Sequence, residues 1–232
     1  MKPVTIQSVV GILVALLVGG FIAFAGSHDS VTLAGVPVFA LCAVIAFAVQ
    51  WVVFIPSYLY QTEHFYDLTG GITYLSLIAL VVIANPYLDW RGGLIALMVG
   101  IWAIRLSTFL FSRVRADGFD RRFTRMKTLP MQFLMTWTLQ GLWVFVTLSA
   151  GLAAMTSIAQ APLGIFALVG TSLWLLGFVI EVVADAQKRQ FRRNPEAGGR
   201  FITTGLWAWS RHPNYFGEII LWVGVALVAL PA

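Results

Sequence analysis

Seven long apolar runs decide what this sequence can fold into. A hydrocarbon core about 30 Å thick is crossed by roughly 20 apolar residues in a helix, and it offers no water to unpaired backbone groups. The pattern therefore predicts an all-α, polytopic membrane bundle of about seven transmembrane helices in one domain, residues 1–232. The expected spans are approximately Ile6–Gly26, Val31–Tyr58, Gly70–Ala84, Gly92–Phe111, Met131–Ala154, Leu163–Val183 and Tyr215–Leu230.

Composition excludes several classes of protein. Only 11% of the residues are charged, whereas a soluble domain carries about 25%. A soluble enzyme, a disordered chain and a free nucleic-acid-binding domain are therefore excluded. Cys42 is the only cysteine, which excludes a disulfide scaffold. The first apolar run follows Lys2 and is longer than the apolar part of a signal peptide, so we expect a retained anchor, with a signal peptide as the alternative.

The basic residues predict the orientation. If the N-terminus is cytosolic, 13 of the 15 Lys and Arg residues fall in cytosolic segments, as the positive-inside rule requires. These segments are the N-terminus, 59–69, 112–130 and 184–214. Topology and contact with lipid headgroups would by themselves explain both basic clusters. Nucleic acid is not an expected partner, because the clusters are short and adjoin the ends of spans.

Familiar cofactor and metal motifs are missing from the sequence. It contains no glycine-rich dinucleotide or phosphate loop, no H-E-x-x-H and no C-x-x-C. The three histidines and one cysteine show no spacing typical of metal ligands, so we expect no metal.

The most informative stretch begins in the sixth expected helix. Glu181, Asp185 and Arg189 are spaced i, i+4, i+8 and therefore share one helix face. Carboxylates inside a span are costly and usually face a cavity or a partner. The alternative is a salt-bridged helix end at the membrane surface.

The residues that follow predict an anion site. Arg192, Arg193 and Arg200 precede Arg211, and Pro213 suits the first position of the seventh helix. A helix start presents free backbone N–H groups and the positive end of the helix dipole. An arginine beside it adds a charged fork that fits a phosphate or a carboxylate.

Polar groups then enter the seventh helix. Asn214 and Glu218 lie one turn apart, with Tyr215 and Trp222 close to the same face. A nucleotide would place phosphates on the arginines, hydroxyls on Asn and Glu, and rings on the aromatic side chains. The alternative is an interfacial amphipathic turn with anchoring aromatics.

Here the sequence resembles a known family. The segment GRFITTGLWAWSRHPNYFGEIILWVG is similar to the C-terminal signature of the steroid 5α-reductase-like membrane proteins, most closely their bacterial, uncharacterised branch. The similarity extends to QTEHFYDLTG at 61–70, WAIRLSTFLFSRV at 102–114, DRRF at 120–123 and ADAQKRQFRR at 184–193. The R-H-P-x-Y element is shared with isoprenylcysteine carboxyl methyltransferases and sterol C14 reductases.

The resemblance implies a seven-helix fold that binds NADPH on the cytosolic side, here of a bacterial inner membrane. It also implies hydride transfer to an activated C=C bond of a lipid-like enone entering from the bilayer. Arg105, buried in the fourth helix, is expected to reach the same cavity. Together with Arg105, the implied cofactor contacts are Asp185, Arg192, Arg200, Arg211, His212, Asn214, Tyr215 and Glu218.

The substrate end departs from the family pattern. In the 5α-reductases an adjacent Gln-Glu pair and a Tyr hold the ketone oxygen, which polarises the enone. Here Thr62 separates Gln61 from Glu63, and no Tyr occurs in WAIRLS. Tyr60, Tyr66 and Tyr74 are the nearby substitutes, Asp67 is an acid or a helix cap, and His64 is an alternative proton donor. We take Gln61, Glu63, Tyr66 and Asp67 as the candidate catalytic residues.

Two other functions stay open at this stage. One is an S-adenosylmethionine-dependent methyltransferase of the isoprenylcysteine type, in which the helix start would bind the methionine carboxylate. The other is a non-catalytic lipid-binding or scaffolding membrane protein. The expected partners are a lipid-like small molecule and the bilayer.

Overall fold

The computed structural model describes residues 3–194, 198 and 200–231, apart from the side chain of Asp117, and this part of the chain is mostly helical. A two-stranded antiparallel hairpin joins the first two helices, and short 3-10 turns lie before α5 and α7. The fold class predicted from the sequence is confirmed. The helices are α1 (Pro3–Gly26), α2 (Val38–Leu59), α3 (Tyr66–Ala84), α4 (Trp90–Asp117), α5 (Pro130–Thr156), α6 (Ile165–Arg193) and α7 (Pro213–Ala229); the strands are β1 (Thr32–Leu33) and β2 (Val36–Pro37).

Helices α1 to α6 are long and apolar enough to cross a membrane, and α7 is a shorter apolar helix. Several boundaries differ from those expected. Helix α2 begins at Val38 rather than Val31, because Ala34 and Gly35 adopt positive φ angles and turn the preceding residues into the hairpin. Helices α4 and α6 run past the apolar stretches, since their polar ends consist largely of good helix formers. Lys2 lies outside the described residues.

The helices group into two compact units. Unit 1 extends to Ala161 and contains α1 to α5, and unit 2 runs from Pro162 to Pro231 and contains α6 and α7. The expectation of one domain remains a prediction. Within unit 1, α5 packs against α1, α2 and α3.

Polar side chains inside unit 1 pair across helices. The Gln50 amide donates to the Thr73 hydroxyl, with 2.8 Å from Nε2 to Oγ1. The Asn85 amide donates to the Met155 carbonyl oxygen at 2.7 Å. Both Gln50 and Asn85 are buried. The hydrocarbon core contains no water to which such groups could bond, so these hydrogen bonds fix which helices pack together and in which register.

Arg91 directly precedes the fourth expected span, Gly92–Phe111, but it belongs to α4 in the structure. It lies in the first turn of α4 and is 1% exposed. Its guanidinium is 3.4 Å from the carboxylate of Asp89. The other oxygen of Asp89 caps α4 by accepting from the backbone N–H of Gly92 at 2.7 Å. A buried Arg requires such a countercharge, so the cap of α4 also compensates the charge of Arg91.

In unit 2, α6 and α7 form an antiparallel pair whose backbones touch through glycines. A Cβ built on Gly177 would lie 2.4 Å from the carbonyl oxygen of Gly217, and one on Gly224 would lie 2.5 Å from that of Gly170. Four glycines therefore form two facing pairs that bring the helices together without side chains between them. Small residues allow this kind of close approach between membrane helices.

Replacement of Gly177 by alanine tests this contact. In an ordinary helix position Gly→Ala stabilises by roughly 0.5–1 kcal/mol. We expect Gly177→Ala instead to destabilise by about 1–3 kcal/mol, as overpacking does, because its methyl group meets backbone. Thermal unfolding of the detergent-solubilised protein measures the effect. Gly20→Ala is the matched control, because nothing lies within 4 Å of the added methyl group; equal shifts in the two variants would contradict the close contact.

Candidate functional site

The first candidate catalytic residue, Gln61, lies apart from the other three. Its backbone has a positive φ of 52° in the turn after α2. Its side chain is exposed, and its Nε2 donates to the backbone carbonyl of Tyr58 at 2.7 Å. The side-chain amide of Gln61 therefore bonds to the backbone of its own turn.

Glu63 joins two loops of unit 1. It is 3% exposed; one carboxylate oxygen is 2.6 Å from Nζ of Lys127, and the other accepts from the backbone N–H of Asp120 at 2.9 Å. Burial raises the pKa of Glu63, but the bonds from Lys127 and Asp120 outweigh it and hold the pKa below its ordinary value. Glu63 is thus a charged anchor between the α2–α3 loop and the segment before α5.

Tyr66 begins α3 inside an aromatic cluster. Its ring centroid is 4.8 Å from that of Phe123 and 5.1 Å from that of Trp137. Its hydroxyl donates to the backbone carbonyl of Thr136 at 3.1 Å, and its own carbonyl accepts from the Gln140 amide at 3.0 Å. The ring and hydroxyl therefore tie α3 to α5.

Asp67 belongs to a network of two carboxylates and two arginines. Its carboxylate is 3.6 Å from Arg113 and 3.8 Å from Arg122. Arg122 also binds Asp120 at 2.6 Å. Because Phe65 is the N-cap residue of α3, the alternative that Asp67 caps the helix is wrong. His64, the alternative proton donor, has its Nε2 2.8 Å from the carbonyl oxygen of Gly118.

The structure thus brings Glu63, Tyr66 and Asp67 into one neighbourhood in which each has a protein partner. Their assignment as catalytic residues remains a prediction. Arg105 also lies in unit 1, in α4, with its guanidinium 5.3 Å from the ring centre of Phe109. Its expected contact with the cofactor remains a prediction too.

The remaining cofactor candidates lie in unit 2, and the acidic ones lie on its two helices. Asp185 on α6 is 5% exposed, as is expected for a carboxylate that faces a partner rather than water. Glu218 on α7 lies close enough to Asp185 for the two carboxylates to interact electrostatically. A Cβ on Gly217 would lie 2.7 Å from the backbone nitrogen of Glu181. The glycine contact therefore brings close together the segments of α6 and α7 that carry these carboxylates.

Asn214 lies in the first turn of α7, directly after Pro213 at the first helical position. Its side-chain oxygen Oδ1 is buried and accepts no hydrogen bond from the described residues. A buried amide oxygen without a donor costs free energy. The start of α7 therefore presents a fixed acceptor that suits a hydroxyl or an amide N–H.

The candidate arginines precede this helix start in the sequence, and their side chains are exposed to solvent. Arg192, Arg200 and Arg211 are all exposed, and among the described carboxylates none forms an ion pair with them. Tyr215 is 57% exposed, and its ring stacks on that of His212 with centroids 5.4 Å apart. Positive charge and a flat aromatic surface are thus both available to a ligand.

The sequence analysis missed the residues that position this loop. The Trp207 indole donates to the backbone carbonyl of Ala184 at 3.0 Å, and Nζ of Lys188 is 4.7 Å from the centre of its ring. The Gln187 side chain accepts from the backbone N–H of Leu206 at 3.0 Å, next to Gly205 with its positive φ of 60°. These contacts fasten the loop to the end of α6. In the sequence, Gly205, two residues before Trp207, was the signal for a turn.

Taken together, the fold and the sites define a helical membrane protein with two buried-carboxylate clusters and a polar, arginine-flanked helix start. The chain belongs to the family described as "Protein of unknown function (DUF1295)", whose model matches residues 51–232. The resemblance to steroid 5α-reductase-like proteins is confirmed.

Curated relatives match shorter segments. The chain is 39% identical over 62 residues to 3-oxo-5-alpha-steroid 4-dehydrogenase 1 of Mus musculus, which is 27% of this chain and 24% of the relative. It is 37% identical over 76 residues to a Delta(14)-sterol reductase of Gibberella zeae, covering 27% and 15% of the two chains. An uncharacterised protein of Schizosaccharomyces pombe is 24% identical over 164 residues, covering 58% and 47%.

The chain spans about a quarter of the length of the steroid dehydrogenases that it matches. No solved structure matches this chain.

The pH dependence of stability tests the role of Glu63. Because its folded pKa is lowered, ionised Glu63 favours the folded state above its ordinary pKa of about 4.3, and this contribution is lost as pH falls through the folded pKa. We expect Glu63→Gln to lower the free energy of unfolding by about 1–3 kcal/mol at pH 7. The difference from the unsubstituted protein should shrink below about pH 4.

Unfolding midpoints measured at a series of pH values give this difference. Asp29→Asn is the control, because the Asp29 side chain is 74% exposed, and it should change stability little at any pH. A difference between Glu63→Gln and the unsubstituted protein that stays constant down to pH 3 would mean that the charge of Glu63 is not what binds Lys127.

Proposed function

We propose that this protein is a membrane-embedded, NADPH-dependent reductase that saturates an activated C=C bond of a lipid-like enone. The buried, unpartnered Oδ1 of Asn214 at the arginine-flanked start of α7 is the observation that carries the proposal. We place this site on the cytosolic face of a bacterial inner membrane, because the cytosolic segments carry most of the basic residues.

The relatives support the reaction class. They include a 3-oxo-5-alpha-steroid 4-dehydrogenase and a Delta(14)-sterol reductase. Both names describe a change at a carbon–carbon bond of a sterol or steroid, which is an apolar substrate. Helices α1 to α6, which are long and apolar enough to cross a membrane, fit a substrate dissolved in lipid.

The residues of unit 2 fit a phosphorylated dinucleotide. A pyrophosphate and a further phosphate need several positive groups, and Arg192, Arg200 and Arg211 have no described carboxylate to neutralise them. The start of α7 adds its dipole. One carboxylate of methionine would need far less charge, so S-adenosylmethionine fits this site less well.

The acidic and amide groups fit the neutral parts of such a ligand. Asp185 and Glu218 accept hydrogen bonds from ribose hydroxyls, and the Asn214 oxygen accepts from a hydroxyl or a carboxamide N–H. The stacked His212 and Tyr215 rings offer a flat surface to a heterocycle. A reduced nicotinamide held by these residues would supply a hydride to one carbon of the double bond, and the other carbon would take up a proton from water.

Ligand-induced stabilisation tests the cofactor assignment. A ligand at 100 times its dissociation constant stabilises the folded protein by about 2.7 kcal/mol. We expect NADPH to raise the unfolding midpoint of the detergent-purified protein, and Arg211→Ala to remove most of the increase because it removes the charged fork at the helix start. The control Arg115→Ala, an exposed arginine of unit 1, should retain it. A shift with S-adenosylmethionine alone would favour the methyltransferase.

Asn214→Leu separates binding from folding. Leucine removes a buried acceptor that has no partner in the described chain, so we expect the unliganded protein to lose no stability. The NADPH-induced shift should fall, with an apparent affinity about tenfold weaker for the loss of one buried hydrogen bond. The measurement is the unfolding midpoint with and without NADPH. A variant that is unstable by itself but binds NADPH normally would contradict the assignment.

A further inference from the structure

One face of α6 carries a continuous line of side chains from the membrane to its cytosolic end. Thr171, Trp174, Phe178, Glu181 and Asp185 follow one another at spacings of three and four residues, so they share one face of the helix. Asp185 lies about 16 Å along the axis from Trp174, at 1.5 Å per residue. The cytosolic end of this line belongs to the proposed nucleotide site, and its membrane end has no assigned role.

The Thr171 hydroxyl does not bond to the backbone of its own helix. Serine and threonine in helices commonly donate to the carbonyl four residues earlier, and the adjacent Ser172 does so, to Leu168 at 2.8 Å. The Thr171 Oγ1 is buried and makes no hydrogen bond with the described residues. It therefore presents a free hydroxyl within the apolar part of α6.

Trp174, one turn further along, presents a second free donor. It is 4% exposed, and its indole N–H has no acceptor in the described chain. Its ring is held against Phe178, with centroids 5.0 Å apart and an angle of 12° between the planes. A buried tryptophan usually has a partner for its N–H, so a buried indole N–H without one suits an acceptor on a ligand.

Three residues of unit 1, Gln50, Trp137 and Gln140, also have buried polar atoms without partners among the described residues, and these lie in tight helix contacts. The Gln140 amide is closed in by Gly70, on which a Cβ would lie 2.6 Å from Nε2, and a Cβ on Gly141 would lie 3.3 Å from Cγ of Gln50. The Trp137 indole lies inside the aromatic cluster. These atoms are part of the packing between helices, whereas Thr171 and Trp174 form a pair of donors on one face.

The chemistry of this pair selects a neutral oxygen. From Ile165 to Ile180, α6 contains no charged residue, so an anionic headgroup would lack a countercharge there. A carbonyl oxygen has two lone pairs and accepts two donors at once. The groups expected to hold such an oxygen are engaged elsewhere, Gln61 with Tyr58 and Glu63 with Lys127.

We propose that Thr171 and Trp174 bind the carbonyl oxygen of the lipid enone, through the threonine hydroxyl and the indole N–H. This inference rests on the proposed reductase function. A hydride supplied to the β-carbon by the reduced nicotinamide would move the π electron pair towards the carbonyl and leave negative charge on its oxygen. Thr171 and Trp174 would stabilise that charge by donating to the oxygen. A proton from water would then add to the α-carbon, so that the π bond is broken, two C–H bonds are formed and a C–C single bond remains.

The test measures binding of a ketone probe without any nucleotide. Purified protein in lipid nanodiscs is titrated with 4-cholesten-3-one and with 4-cholestene, which lacks the oxygen, and the carbonyl stretch of the bound ketone is recorded by infrared spectroscopy. We expect tighter binding of the ketone by about tenfold and a carbonyl stretch at lower frequency than in lipid. Thr171→Val and Trp174→Phe should each weaken ketone binding about fivefold, leave 4-cholestene binding unchanged and reverse part of the frequency shift.

Matched controls separate hydrogen bonding from packing. Ser172→Ala removes a hydroxyl that is already bonded to Leu168, and Trp90→Phe alters an indole that is 87% exposed; neither should change ketone binding. Thr171→Ser, which keeps the hydroxyl, should retain the affinity. Ketone binding and carbonyl frequency unchanged in both Thr171→Val and Trp174→Phe would overturn the proposal.

The proposed function fails separately. If NADPH does not stabilise the protein but the ketone binds as described, the binding of the carbonyl oxygen by Thr171 and Trp174 is supported and the reductase function is contradicted. If NADPH stabilises the protein and the two variants bind ketone normally, the reductase function is supported and the carbonyl-binding role of Thr171 and Trp174 is contradicted.

Discussion

The absence of water inside a membrane governs this structure, because every polar group placed there needs a partner within the protein. In unit 1 the Gln50 amide donates to Thr73, the Asn85 amide donates to Met155, and Arg91 lies beside the countercharge of Asp89. The first two bonds specify helix neighbours, although Gln50 Oε1 and the guanidinium nitrogens of Arg91 have no hydrogen-bond partner among the described residues. In unit 2 the side chains of Asn214, Thr171 and Trp174 also have partnerless polar atoms, and we assign these to ligands because of their positions at the start of α7 and on one face of α6.

The two carboxylate clusters differ in what they do for the fold. Glu63 and Asp67 face cations of the same unit, so their charges are compensated by Lys127, Arg113 and Arg122. Glu218 lies close enough to Asp185 for the two carboxylates to interact electrostatically. The first cluster joins the loops of unit 1, and the second lies on the two helices of unit 2, where we propose the nucleotide site.

Much of the architecture could be predicted from local pattern. Apolar runs of membrane length gave the number of helices, and Pro213 correctly marked the start of α7. The hairpin before α2 was missed because residues 31–37 are as apolar as a span. Only the positive φ angles of Ala34 and Gly35 distinguish this segment from the helix that follows. The ends of α4 and α6 were placed too early, because hydropathy falls where the helix itself continues.

The site was predictable in its residue types and less so in its geometry. The sequence by itself determined that the chain is a helical membrane protein and that Asn214 and Glu218 lie one turn apart, because length, hydropathy and helical period are local properties. Only tertiary structure decided that Glu63 is bonded to Lys127 and that Trp207 fastens its loop to α6. It alone also decided that four glycines let α6 and α7 touch. Each of these contacts joins residues distant along the chain, and no local pattern encodes which distant partner a side chain will meet.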